Sequence, residues 1–250
     1  MIQRSGAVAL FVLWAQCAVA QVAPLHVLAS NGVRAGMEAL KPACESAIGR
    51  PLAIDYDSSA GLKRKIEGGD AFDLAIITPE ATAELTKAGK LANGTATEVA
   101  QTGIGFGIRA GAPKMDVSTS EAVKQALLKA KSIALVREGA SRVTIEKMFE
   151  RLGIAQAIAS KIKLESGTVK AGEGVAKGET ELEIIPISEI PLVRGVQILG
   201  PLPGELQSYV RFQASVSMTA GDAAVARKAI AFLISPVAAA VFKAYSAGPR

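Results

Sequence analysis

Four short runs of small residues hold most of the chemistry open to this chain: Ala29-Ser30-Asn31-Gly32, Ser58-Ser59-Ala60-Gly61, Gly139-Ala140-Ser141-Arg142 and Ser166-Gly167-Thr168-Val169. Each follows a strand-like run or precedes a helical pattern. Hydroxyls and unbonded backbone N–H groups at a helix N-terminus can be aimed at one point, where the helix dipole favours negative charge. A serine before a helix is also an ordinary N-cap, so one such run alone decides little. Four of them, two early and two in the middle of the chain, describe a cleft for a small anion.

Other chemistries lack residues. The one histidine, His26, sits inside the apolar run Leu25–Ala29, so a histidine metal cluster or an HExxH helix is excluded and no metal site is expected. A Ser-His-Asp triad would have to use that same His26. Proton transfer in the cleft would need a general base beside the substrate carbon, and His26, Asp57 and Glu138 stand nearest by sequence, none of them in a motif. Cys44 lies in a helical pattern as a packing residue. The glycines of "GIGFGIRAG" (103–111) alternate along a strand and do not open a helix, so they make no nucleotide-binding loop and imply no cofactor.

The elements that must position the four runs alternate. "LHVLA" (25–29), "LAIDY" (52–56), "DLAII" (73–77), "IGFGI" (104–108), "SIAL" (132–135) and "LEIIPI" (182–187) read as strands. Helical patterns lie between them at about 33–48, 62–68, 80–88, 120–130, 142–152 and 169–177. This alternation predicts an α/β fold with largely parallel sheets. Pro79 after Thr78 suits a first-turn proline, Ser118 with Glu121 reads as a capping box, and Pro42 is expected to kink or divide its helix. Two consecutive helices close the chain, the second opening at Pro236 and stopping near Gly248. Gly/Pro-rich "RAGAPKM" (109–115) and "LGPLPGEL" (199–206) bracket a middle block that reads as a second lobe: residues 21–103 and 205–250 form lobe 1, and 104–204 form lobe 2.

Residues 1–20 carry an early Arg4, an apolar stretch from Ala7 to Trp14 and an Ala18-Val19-Ala20 cleavage pattern, which predicts a signal peptide cut after Ala20 and a periplasmic protein. Cleavage removes the one Trp and Cys17, leaving Cys44 as a lone thiol, so a hydrophobic core and not disulfides must hold the mature chain. The formal charge falls from +5 to +4, because Arg4 is the only charged residue removed. That small excess comes without a basic block or an RNA-type aromatic motif, which argues against nucleic acid as a partner.

With these residues in view, "LHVLASNGV…DYDSSAGLKRKIEGGDAFDLAII" and "VAKGETELEIIPISEI" resemble periplasmic molybdate-binding proteins of ABC importers, and the likeness extends to the final "FLISPVAAAVFKAYSAG". It implies a two-lobed type II periplasmic binding protein fold, with the ligand cleft between the lobes, and a monomer that delivers a small anion to the membrane subunits of an ABC transporter. It also implies ligand-binding roles. Ser30, followed by Asn31, matches the serine after the first strand, and Ser59 the serine three residues before Leu62. Ala140 or Ser141 falls at the third run's backbone donor, with Arg142 beside it, and Val169 at the fourth's.

Two departures bear on the ligand. Where the family has a tyrosine two residues before its Ser-Asp pair, this chain has Pro186, which offers neither a phenol nor an N–H. An oxyanion oxygen left unpaired there costs roughly 1–3 kcal/mol. Arg142 and Arg137 near the third run suit a carboxylate, which accepts bidentate bonds from guanidinium. The expected ligand is therefore a molybdate-like oxyanion or a small organic acid. The alternative is an isomerase of a small polycarboxylate, similar to aconitate isomerase, on the same scaffold.

Overall fold

A computed structural model of the protein describes residues 23–245. The expected signal peptide at 1–20 and the helix stop near Gly248 lie outside the described residues. In chain order the elements are β1 (Leu25–Ser30), α1 (Arg34–Ile48), β2 (Leu52–Asp57), α2 (Ser59–Gly68), β3 (Leu74–Ile77), α3 (Pro79–Lys87), β4 (Thr97–Arg109), α4 (Ser120–Lys129) and β5 (Ile133–Val136). There follow α5 (Arg142–Arg151), α6 (Ala155–Ile158), β6 (Ile162–Glu165), α7 (Thr168–Ala176), β7 (Leu182–Pro186), β8 (Val196–Pro201), β9 (Tyr209–Val216), α8 (Ala223–Leu233) and α9 (Pro236–Tyr245). Short 3-10 turns at Asn31–Val33 and Ile187–Leu192 follow β1 and β7.

The strands run β2-β1-β3-β9-β4-β7-β5-β6, with β8 also on β4. β4 belongs to both halves. Thr97–Gly103 pairs antiparallel with β9, whereas Ile104–Ile108 pairs antiparallel with β7 and Gly105–Arg109 with β8. On one side β1 lies parallel to both β2 and β3, and on the other β5 lies parallel to β6 and β7.

Burial follows the same division. One core joins β1, β3 and β9 to α1, α8 and α9 through Val27, Met37, Leu40, Ile76, Phe212, Leu233 and Phe242. On the opposite face of that sheet, Leu28 packs with Leu62, Ile66 and Leu85 of α2 and α3. A separate core, with members only from Ile104 to Leu206, holds the other half together around Phe106, Leu127, Leu135 and Phe149. Strands buried on both faces read as continuous apolar runs, which is why "LHVLA" and "SIAL" stand out in the sequence. The chain is thus two-lobed α/β, but the expectation of largely parallel sheets is corrected: β4 and β9 pair antiparallel with their neighbours, so only the outer parts of the sheet are parallel.

Some local expectations change. α1 runs unbroken through Pro42. Pro42 lies on the exposed side of the helix, one turn after exposed Glu38, so the carbonyl it leaves without an N–H partner can be hydrated. The cap of α4 is Thr119 and not Ser118. The Thr119 Oγ1 accepts the Ala122 N–H at 3.1 Å, while the Ser118 N–H donates to Asp116 Oδ1 at 2.9 Å. This places Glu121 one position too early for a capping box. β6, β8 and β9 lie outside the strand-like runs read from the sequence, and β4 is more than twice as long as the run at 104–108.

Candidate functional site

The four small-residue runs meet. Ser30 ends β1 opposite Asp57, the last residue of β2, so the first two runs leave neighbouring strands at the same level. Val136 ends β5 opposite Glu165 of β6, and the Arg137 N–H donates to the Glu165 carbonyl at 2.8 Å, which sets the third and fourth runs side by side. Two contacts join the pairs across the lobes. Arg64 of α2 forms an ion pair with Glu138 at 2.5 Å, tying the second run to the third. The Ser188 hydroxyl donates to the Gly32 carbonyl at 2.8 Å, and its neighbour Glu189 accepts a hydrogen bond from the Thr168 hydroxyl, tying the first run to the fourth. The result is a four-sided frame at the C-terminal ends of parallel strands, where α/β sheets place their ligands.

Within this frame the serines differ. The hydroxyls of Ser30 and Ser141 stand at the starts of the Asn31–Val33 turn and α5 without a side-chain capping bond, and both residues are buried. In the second run the two roles are split. Ser58 is the cap, its Oγ accepting the Gly61 N–H at 3.0 Å. Ser59 opens α2 and its Oγ accepts the Thr78 N–H at 3.2 Å, so its O–H remains available as a donor. Asn31 is half-buried beside Ser30, and Ala140 and Val169 are exposed.

Other candidates fall elsewhere. His26 lies four residues before Ser30 on an extended strand, roughly 13 Å away, and its Nε2 is 2.9 Å from Asp55 Oδ2. Asp57 accepts the Ser58 N–H through Oδ1 at 2.7 Å and packs against Gly61, where a Cβ would fall 2.5 Å from Oδ2. The Arg142 guanidinium pairs with Glu146 and lines a cavity of about 520 Å³ with Leu135, Phe149 and Leu164. No residue of the first lobe lines that cavity. The Arg137 guanidinium reaches the Leu164 carbonyl at 3.4 Å.

Thr168 belongs to the fourth run, and residues that sequence patterns did not single out for the site complete the frame: Arg64, Thr78, Ser188 and Glu189. Beside it lies an unusual buried pair. Burial pushes the Glu189 carboxyl up to about 7, against the opposing effect of the Thr168 hydrogen bond. Glu183 on β7, fully buried, is pushed up to about 8 by burial and by the neighbouring charge of Glu189. Neither Glu183 oxygen has a hydrogen-bond partner among the described residues. Gly107 on the adjacent β4 makes room for it, since a Cβ there would lie 2.6 Å from Oε1.

Residues 25–246 match the family model described as bacterial extracellular solute-binding protein. The chain belongs to that family. Among relatives similar to this solute-binding protein, an aconitate isomerase from a Pseudomonas species is 28% identical over 224 residues, covering 87% of this chain and 85% of the relative. The molybdate-binding protein ModA of Azotobacter vinelandii is 25% identical over 235 residues, covering 92% and 91%. Solved structures agree on the fold. The periplasmic molybdate-binding protein of Azotobacter vinelandii superposes with a TM-score of 0.75 at 17% identity, over 90% of this chain and 100% of that one. The sulfate-binding protein SubI from Mycobacterium tuberculosis gives 0.70 at 18%, over 89% and 85%. The solute-binding protein described here therefore has the two-lobed periplasmic binding protein fold that its sequence resembles.

Proposed function

We propose that this solute-binding protein captures a small anion in the cleft framed by Ser30, Ser59, Ser141 and the N-terminus of α7, in the periplasm after removal of residues 1–20, and delivers it as a monomer to the membrane subunits of an ABC importer. Lobe 1 comprises residues 21–103 and 205–250, and lobe 2 residues 104–204. The observation that carries this reading is the frame itself: both halves of the chain contribute to it, and Ser30 and Ser141 are buried at the starts of the Asn31–Val33 turn and α5 with no side-chain capping bond. Neutral hydroxyls and helix-start N–H groups hold an anion without introducing a buried counter-charge. The names of the relatives, with molybdate and sulfate among their ligands, support the same class of ligand.

The test is a calorimetric screen of the purified mature chain against molybdate, sulfate and a set of di- and tricarboxylates. Binding of at least one anion, weakened about tenfold by Ser30→Ala as expected for a lost hydrogen bond to a charged group, supports the assignment. An anion that binds with equal affinity to the native chain and to Ser30→Ala places the site elsewhere.

A second function rests on a separate observation. Glu189 stands at a corner of the frame with its carboxyl raised to about 7, where a general base works near neutral pH. Together with the aconitate isomerase likeness, this supports proton transfer on a bound polycarboxylate as the alternative activity. Proton NMR of a bound unsaturated polycarboxylate in D2O decides it: conversion to the isomer with deuterium taken up at the new carbon, lost in Glu189→Gln, would establish an isomerase, and no conversion would rule it out.

A further inference from the structure

Arg64 and Glu138 face each other across the cleft, one on the exposed side of α2 and the other in the loop between β5 and α5. Their charged atoms are 2.5 Å apart, and both side chains are more than half exposed. The remaining guanidinium groups nearby are engaged within lobe 2, Arg142 by Glu146 and Arg137 by the Leu164 carbonyl. Lys65, on the same helix as Arg64, lies 4.0 Å from Asp57. The lobe 1 guanidinium of Arg34 stacks on the Tyr56 ring at 5.0 Å, so Arg64, five residues after Ser59, is the one that meets a carboxylate of lobe 2.

We propose that Arg64 is the specificity-determining residue of the cleft and recognises a carboxylate of a di- or tricarboxylic acid, with Glu138 holding its guanidinium until the ligand's carboxylate takes that place. The inference rests on the small-anion reading of the cleft and deepens it by naming the ligand class. An exposed ion pair is a weak interaction, so exchanging one carboxylate for another at Arg64 meets little opposition. The planar fork of the guanidinium accommodates the two oxygens of a carboxylate, while the serines hold a second acidic group within the frame. A tetraoxoanion presents no planar pair of oxygens on a separate carbon that would reach Arg64 while its other oxygens are held by the serines.

Isothermal titration with tricarballylate, malonate and molybdate tests this in the native chain, Arg64→Gln, Glu138→Gln and Ser59→Ala. Arg64→Gln should lower tricarballylate affinity by about tenfold or more and leave any molybdate binding within about twofold. Glu138→Gln should raise tricarballylate affinity several-fold, because the internal competitor is gone. If Glu138→Gln instead weakens tricarballylate binding alongside Arg64→Gln, the pair is a closure latch and the proposal fails. It also fails if the native chain binds molybdate alone or none of the three probes. Ser59→Ala separates the two levels. Loss of binding in Ser59→Ala with no change in Arg64→Gln overturns the role of Arg64 while keeping the cleft. Carboxylate binding indifferent to both substitutions overturns the cleft.

Discussion

Gln207 holds Ile104 by both atoms of its side-chain amide: Oε1 accepts the Ile104 N–H at 2.8 Å, and Nε2 donates to the Ile104 carbonyl at 3.1 Å. Ile104 is the point at which β4 leaves β9 and joins β7, so the clasp sits where the chain passes between lobes. The same Nε2 also reaches the Leu202 carbonyl at 3.2 Å, fixing the returning segment to the outgoing one. Gln207→Ala would leave the N–H of fully buried Ile104 without this partner, while its carbonyl keeps the Leu202 N–H at 3.0 Å, at a cost of about 1–3 kcal/mol. Urea denaturation should show that loss. An unchanged midpoint would mean the clasp contributes nothing to stability.

Ser58 and Ser59 are adjacent but should fail in different ways. Ser58→Ala removes the cap on α2 and should cost about 0.5–2 kcal/mol in stability, with anion affinity retained. Ser59→Ala removes a hydroxyl that accepts the Thr78 N–H and that the proposed function assigns to the anion. It should therefore lose both stability and affinity. Thermal melts and titrations on the same two variants check the division, and equal affinity losses would show that it is wrong.

The distinction between these two serines marks where sequence patterns stop being informative. The central parallel strands are visible because burial on both faces leaves nearly continuous apolar runs, Leu25–Ala29 broken only by His26 and Ile133–Val136 unbroken, whereas the half-exposed parallel strand β6 is not. The runs that build the frame stand out because Ser and Gly cluster at strand ends. β9 escapes notice, since "YVRFQASV" alternates buried and exposed residues over its first half and shows no continuous run. Its antiparallel pairing with β3 and β4 depends on contacts far apart in the chain, which local pattern does not encode. Arg64 looks like any charge on the solvent face of a helix until Glu138, 74 residues later, is placed opposite it. Glu189 reads as a polar residue after a strand, and only folding reveals that it is buried against Thr168.

Gly32 and Gly68 offer a contrast in close approach. A Cβ on Gly32 would lie 2.2 Å from Cζ of Phe212, whose side chain is buried in the first core, whereas one on Gly68 would meet nothing within 4 Å. Gly32→Ala must displace Phe212 or shift the turn that carries Ser30, and it should cost about 1–3 kcal/mol. Because Gly32 also provides the carbonyl for Ser188, anion affinity should fall with it. Gly68→Ala, at the end of α2, should be neutral or stabilising by up to about 1 kcal/mol. Melting temperatures of the two variants measured side by side provide the comparison, and a Gly32→Ala chain as stable as the native one would show that Phe212 yields freely.

The buried Glu183 makes stability depend on pH with a definite sign. Its carboxyl is raised from about 4.5 to about 8 by burial and by Glu189, so the folded protein retains a proton that the unfolded chain releases. Below about pH 4.5 both states are protonated and ionisation costs nothing. As the pH rises from there to about 8, the unfolded state binds fewer protons than the folded one, and stability falls. Above that range the penalty is constant. Glu183→Gln removes the titrating group while keeping its size in the space left by Gly107. The variant should match the native chain most closely near pH 5 and gain on it progressively up to pH 8.5, by an amount on the order of 3 kcal/mol. Glu189, raised to about 7, remains in the variant and retains a smaller decline of the same sign. Denaturation midpoints at pH 5, 6.5 and 8.5 decide the matter, since curves that run parallel for the two proteins would mean that Glu183 ionises as freely in the folded state as in the unfolded one.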